Sequence, residues 1–332
     1  MDYFLFINIP GGGRLSVLLL FALGAIVGLL GSFFGVGGGW IVTPVLSILG
    51  LPITHAVGTG FGYMLGMSGL AAFKHRKYGH TETGLAVVIG LTTMAGIELG
   101  KRLMLVLDAS AIAEPVVGAL YVVLLLGLGV FLVRDGVRAA RGLAVPGKSP
   151  AAPPYLRQFR SRPQVFLPQS GFYVSFWPVA GLGVGIGFLS GLMGVGGGFV
   201  LMPIMVYLMG MPTVVAVGTS LLCVLLASPF GMISYAMHGR VLFPAVAVMV
   251  AGAFIGVPLG AHASRVIRGR WLRLLYGVMI IAGGLSVLLH LLDRPLPGIG
   301  LESASRMLIV GGAAGVAGLI LLMALFARGR EA

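Results

Sequence analysis

The sequence predicts an all-α polytopic membrane protein: two homologous, inverted repeats with short broken helices at glycine-rich breaks, plus one extra C-terminal helix. Three observations carry this. Residues 15–73, 163–239, 241–264, 274–292 and 307–327 contain no Asp, Glu, Lys or Arg, and an apolar run of about 20 residues suffices for a spanning helix. A motif occurs twice: Gly35-Val36-Gly37-Gly38-Gly39, Pro44, Pro52 and Ala56-Val57-Gly58-Thr59 recur as Gly194-Val195-Gly196-Gly197-Gly198, Pro203, Pro212 and Ala216-Val217-Gly218-Thr219. The offset is 159 residues from Gly35 to Gly194 and 160 from Pro52 to Pro212, and it holds through Ser68/Ser228, Gly96/Gly256 and Gly100/Gly260. Finally, 58% of the chain is hydrophobic and 9% charged, where a soluble domain carries about 25% charged residues.

The elements follow in order. Long helices are expected near 15–34, 54–73, 83–103 and 112–134, with a short one near 40–50 that Pro44 and Pro52 keep short. These form a first transmembrane repeat over 15–134. Residues 135–173 hold Arg138, Arg141, Lys148, Arg157, Arg160, Arg162 and Pro153-Pro154, the composition of an exposed basic linker. The second repeat, 174–292, places helices near 175–193, 214–237, 241–264 and 271–292, with a short one near 199–210. An unmatched helix near 305–327 completes the scheme. The 55 glycines, roughly twice the usual share, suit close helix packing and helix breaks in lipid.

Lys and Arg set the orientation. If both short segments cross the bilayer, sixteen of the 22 lie inside; if both re-enter, fourteen do. Repeat-matched loops also differ in charge: Lys74, Arg76 and Lys77 face only Arg240 in the other copy. Inverted repeats result, with the N-terminus outside, the linker cytoplasmic and the C-terminus cytoplasmic. The first apolar segment is too long for a signal-peptide core and stays in the mature chain.

The net charge of +13 comes from residues between apolar segments, a topology signal, and implies no nucleic-acid partner. Cys223 is the only cysteine, so no internal disulfide is available, and no metal or cofactor is expected. Paired carboxylates, His-Glu-x-x-His and a nucleophile elbow are missing, so no catalytic residue is assigned. The glycine run lacks the Gly-Lys-Ser/Thr of a phosphate-binding loop.

Three adjacent residues without side chains can turn sharply and expose amide N–H groups. A helix starting at Trp40, or at Phe199, would add its positive end there, making an anion site without a lysine. The candidate solute-binding residues are therefore Gly37, Gly38, Gly39, Gly58, Thr59, Gly196, Gly197, Gly198, Gly218, Thr219 and Ser220. The hydroxyls of Thr59, Thr219 and Ser220 are expected at a second helix start, either capping it or coordinating solute oxygens. Glu98, the only acid inside a predicted span, and His55, just before Ala56, are candidate coupling residues, with interfacial pairing and structural hydrogen bonding as the alternatives.

The ordered copies are strongest in Gly191-Leu192-Met193-Gly194-Val195-Gly196-Gly197-Gly198 through Pro203 to Ala216-Val217-Gly218-Thr219-Ser220, and in Gly35 through Pro44 to Thr59. In these motifs the chain resembles the sulfite exporter TauE/SafE (TSUP) family over residues 18–292. The resemblance implies a bacterial inner-membrane permease for small anions, commonly sulfite, thiosulfate, organosulfonates or thio-acids, and implies proton coupling. The chain departs from the family pattern at Gly60, where Ser commonly follows Gly-Thr.

Alternating access of two halves about a shared midplane site suits this pattern. A membrane-embedded enzyme or accessory protein, whose glycine turns only pack helices, is the other reading; it would place its site in one copy and leave the counterpart silent. A channel is the third. The lipid bilayer and a small anionic solute are the partners expected.

Overall fold

The computed structural model describes residues 6–10, 13–79, 81–140, 162–267, 269–293 and 301–328. Among the described residues, nine helices are long and apolar enough to cross a membrane, and two shorter apolar ones span Gly39–Ile48 and Gly198–Tyr207. The chain opens with a hairpin of β1 (Phe6–Asn8) and β2 (Arg14–Ser16), then α1 (Val17–Phe34), α2 (Gly39–Ile48), α3 (Ile53–Lys77), α4 (Thr83–Ala109) and α5 (Ala113–Ala140). A second hairpin, β3 (Gln164–Leu167) and β4 (Phe172–Ser175), precedes α6 (Phe176–Met193), α7 (Gly198–Tyr207), α8 (Thr213–Ala236), α9 (Phe243–Val266) and α10 (Gly269–Asp293). The chain ends with α11 (Leu301–Arg306), a π-helical turn at Met307–Gly311 and α12 (Gly312–Arg328).

Both short helices lie where expected. Pro44 and Pro203, however, lie inside them rather than ending them. A proline within a helix frees the carbonyl four residues earlier; for Pro203 that is Phe199, whose carbonyl instead accepts the Tyr276 hydroxyl at 3.0 Å. Pro52 and Pro212 occupy the N-cap positions of α3 and α8. Several long helices outrun their apolar cores: α3 takes in Lys74 to Lys77, because long cationic stems can lie along the helix end with their charge outside.

The basic stretch 135–173 is not linker throughout. Helix α5 continues to Ala140 and the β3–β4 hairpin occupies its far end, while 141–161 lie outside the described residues. The hairpin belongs to the repeat. Ser16 and Ser175, 159 residues apart, are the N-caps of α1 and α6, and Leu15 and Val174 before them are both buried. Two three- or four-residue strands with little alternation left no clear trace in the sequence.

The two repeats interlock rather than standing side by side. Gly24 and Gly28 lie against Met249 and Ala253, and Gly252, Gly256 and Gly260 lie against Phe21, Ala25 and Leu29, so α1 runs parallel to α9. The matched pair repeats this: Gly183, Gly187 and Gly191 of α6 abut Ile89, Thr93 and Ile97 of α4, again in parallel. Helix α5 runs antiparallel to α10, with Gly118 against Leu291, Gly129 against Ile281 and Gly136 against Leu274. Helices α3 and α8 cross antiparallel, Gly231 meeting Phe61 and Gly69 meeting Leu225. A methyl on Gly256 would sit 1.9 Å from the Ala25 carbonyl oxygen, and one on Gly96 would sit 2.1 Å from that of Val184. These contacts are backbone to backbone, the close approach that small residues permit in membranes.

Candidate functional site

The two glycine runs meet in the centre of the molecule. Residues 35–39 and 194–198 are all buried. Gly35, Gly37 and Gly38 have φ of 79°, 74° and 78°, and Gly194, Gly196 and Gly197 have 72°, 68° and 73°. Left-handed backbone at three of four consecutive positions explains why glycine recurs there. Gly39 and Gly198 are helical but serve closeness: a Cβ on Gly39 would lie 2.6 Å from the Gly194 carbonyl oxygen, and one on Gly198 2.5 Å from that of Val36. Each break is thus pressed against the other copy.

Both breaks open short helices, α2 and α7, whose first two amides, those of Gly39 and Trp40 and of Gly198 and Phe199, have no intrahelical acceptor, while Ile41 and Val200 donate to the N-cap carbonyls of Gly38 and Gly197 at 3.1 Å. The two helix starts therefore bring paired backbone donors and positive dipole ends to one buried region, an arrangement able to accept an anion. Apolar side chains close it in this conformation: Met64 lies against Gly39 and Gly196, and Val224 against Gly37.

The hydroxyls are used differently from expectation. Thr59 and Thr219 lie six residues inside α3 and α8, not at helix starts. Their oxygens accept the N–H of Leu242 and of Glu82, each at 3.0 Å. Those two residues are the N-caps of α9 and α4, so the threonines cap a helix of the opposite repeat. Ser220 does reach a break, donating to the Gly35 carbonyl. Its counterpart is Gly60, and there Thr43 of α2 supplies the missing hydroxyl, donating to the Gly194 carbonyl at 3.1 Å. A Cβ on Gly60 would lie 2.9 Å from Thr43 Oγ1. The serine missing from the first copy is replaced by a threonine from a neighbouring helix, and both break carbonyls keep a donor.

Matched positions carry one further exchange. Tyr235 donates to the Gly191 carbonyl at 2.6 Å, and His75, its counterpart, engages the Ser32 carbonyl at 3.2 Å. Each steadies the last turn before a break. Flanking the breaks are buried groups without a hydrogen-bond partner: Ser32 Oγ, Ser190 Oγ and Trp40 Nε1. Serine and tryptophan in apolar helices carry no distinguishing pattern, so nothing in the sequence marks them.

Gly58 packs on the Arg240 carbonyl, where a Cβ would lie 2.2 Å away, and Gly218 is buried in α8. Glu98 and His55 are not at the breaks. Glu98 pairs with Lys101 at 2.8 Å and Arg102 at 3.0 Å, and accepts Ser234 Oγ at 3.1 Å. His55 is buried near the Arg240–Asp108 ion pair, itself 3.0 Å long. The α5–α10 pair has a polar contact near each end: the Asp135–Arg273 ion pair at 3.0 Å, where Tyr207 also donates at 2.6 Å, and Glu114 beside the His290 ring at 3.5 Å. The second borders a small cleft lined by Pro44, Ser47, Ile53 and Tyr121 among others.

Comparison with known proteins agrees with this architecture. The chain is 26% identical to the Probable membrane transporter protein YunE of Bacillus subtilis over 287 residues, 82% of this chain and 98% of that protein. It is 27% identical over 286 residues to a Probable membrane transporter protein of Methanocaldococcus jannaschii, covering 82% of this chain and 95% of the other. A shorter match, 28% over 129 residues, reaches the Sulfite exporter TauE/SafE family protein 1 of Arabidopsis thaliana, covering 37% of this chain and 29% of that protein. No solved structure matches. The profile of the sulfite exporter TauE/SafE family covers residues 20–287, both glycine breaks included, and the chain is a membrane transporter belonging to that family.

Proposed function

We propose that this chain is a secondary transporter of small sulfur-containing anions, such as sulfite, thiosulfate, an organosulfonate or a thio-acid, working by alternating access in a bacterial inner membrane. The observation that carries this reading is the pair of buried helix breaks, each left-handed at three glycines and each touching the other copy. Two half-helix starts aimed at one region suit an anion more than a neutral solute or a cation. The unpartnered Ser32, Ser190 and Trp40 donors beside them suit it too.

The inverted arrangement of the repeats belongs to the same proposal. It is supported by helix direction: the matched helices α3 and α8 cross antiparallel, as do the matched α5 and α10, and the parallel α1–α9 and α6–α4 pairs are compatible with it. With Lys74 to Lys77 inside, the N-terminus faces outward and the C-terminus the cytoplasm. Solute would reach the breaks as Met64 and Val224 withdraw and the contacts of Gly39 with Gly194 and of Gly198 with Val36 loosen.

Thermal unfolding of detergent-purified protein tests the reading across sulfite, thiosulfate, sulfonates, thio-acids, sulfate, phosphate and carboxylates. A ligand at a hundred times its Kd adds about 2.7 kcal/mol to stability. The expected result is a rise with one sulfur anion that Ser190→Ala removes. A flat response across the panel would favour the accessory-protein reading.

A further inference from the structure

Glu82, at the start of α4, is a polar group that the transport site as described does not use. It is 1% exposed, and both carboxylate oxygens are buried without a hydrogen-bond partner. Its backbone N–H is engaged, donating to Thr219 Oγ1 at 3.0 Å, while Thr219 in turn donates to the Val215 carbonyl at 2.7 Å. A buried carboxylate with no partner is costly, because a charge taken out of water is left there uncompensated.

The titratable and charged groups at the near ends of the elements around it are Lys74, His75, Arg76 and Lys77 in the last turn of α3, Tyr78 just after it, Arg265 at the end of α9, and Cys223 and Tyr235 on α8; β3 and α6 carry none. His75 engages the Ser32 carbonyl, and the Arg265 guanidinium lies 4.3 Å from the Tyr78 ring centre. None of them is hydrogen-bonded to Glu82.

Two further features tie Glu82 to the breaks. The residue after its partner Thr219 is Ser220, whose hydroxyl holds the Gly35 carbonyl. Its repeat counterpart, 160 positions on, is Leu242, which makes the same backbone bond to Thr59 at 3.0 Å but has no carboxyl. The helix-capping device is duplicated, and the acid occurs once. Glu98, with Lys101 and Arg102 on its two oxygens, is already neutralised.

We propose that Glu82 takes up and releases the proton exchanged during transport, an inference that rests on the transport reading. A proton adds to one carboxylate oxygen while the group is buried and leaves to water when that side opens; no bond to solute forms or breaks. The test uses the full chain in proteoliposomes with radiolabelled sulfite and thiosulfate, measuring exchange at equal pH and net uptake under an imposed pH gradient. Wild type should show gradient-driven uptake about tenfold above the rate without a gradient, within the ordinary range of coupling between two sites. Glu82→Gln should lose that acceleration and keep exchange, and Glu82→Asp should restore part of it.

Undiminished acceleration in Glu82→Gln overturns the proposal, as does loss of exchange together with uptake, or uptake driven by sodium instead. If neither probe exchanges across wild-type vesicles, the transport reading fails, and infrared spectra of the reconstituted protein decide Glu82 separately. A protonated-carboxyl band present in wild type and absent from Glu82→Gln supports the proton-carrying role; superimposable spectra overturn it.

Discussion

Gly198 and Gly239 separate two reasons for a glycine. Gly198 is helical, yet a Cβ there would lie 2.5 Å from the Val36 carbonyl oxygen, a backbone atom that cannot swing away. Gly239 has φ of 68° and open space around it. Gly239→Ala is expected to cost only the left-handed penalty, about 1–2 kcal/mol, and to leave transport intact. Gly198→Ala should cost about 1–3 kcal/mol through overpacking and abolish transport by prising the breaks apart. Thermal melts paired with flux assays check both. The hydroxyls permit a sharper test. Thr43→Ala leaves the Gly194 carbonyl without its donor, a loss of about 1–3 kcal/mol. Adding Gly60→Ser should recover much of that loss, because it restores the pattern seen at Ser220 and Gly35. A double variant no more stable than Thr43→Ala would refute the exchange of roles. Ser190→Ala removes a hydroxyl that has no partner to lose, so its melting temperature without solute should stay near wild type while the solute-induced rise disappears.

At the scale of elements, α5 and α10 form an antiparallel pair tied near both ends. Asp135 and Arg273 are largely buried, their side chains 15% and 17% exposed. Removing one partner strands the other, so Asp135→Leu should cost about 3–5 kcal/mol, whereas Asp135→Leu with Arg273→Met should come close to wild type. Chemical denaturation of the purified protein reads the difference, and a double variant as unstable as the single would show that the pair itself stabilises the helices. The glycine seams make α1–α9 and α4–α6 into matched units, so Gly256→Ala and Gly96→Ala should destabilise by similar amounts.

For the whole molecule, the repeat-matched loops are the discriminating feature. Lys77 and Met237 are counterparts and both are exposed. In a Cys223→Ser background, Lys77→Cys should react with an impermeant thiol reagent only from the cytoplasmic side and Met237→Cys only from the other. Labelling of both from one side would make the repeats parallel and remove the basis for rocking about a shared site. The interlocked arrangement also means that the glycine seams run between the repeats: α1 is covered by α9, and α6 by α4. A chain cut within the basic linker should therefore yield functional protein only when both halves are expressed together.

Helices, breaks, repeat and family were legible in the sequence because each is local or self-comparing. A charge-free run declares a span, and a glycine quintet in fixed register 159 residues from its copy declares a duplication. Of the residues proposed to hold solute, the two glycine runs do come together. What the hydroxyls do was not legible, since Thr59 serves the N-cap of α9 and Thr219 that of α4, 183 and 137 residues away. Nor could a sequence with Gly60 in place of serine announce that Thr43 fills the gap, or that Glu82, lying between two apolar helices, is buried and unpaired while Glu98 is not. Chain chemistry determined which segments enter the membrane and where they break, because burial of apolar surface and glycine's backbone freedom are properties of short stretches. Only the tertiary structure decided which polar atoms find partners, because that depends on distances between residues that the chain order keeps far apart.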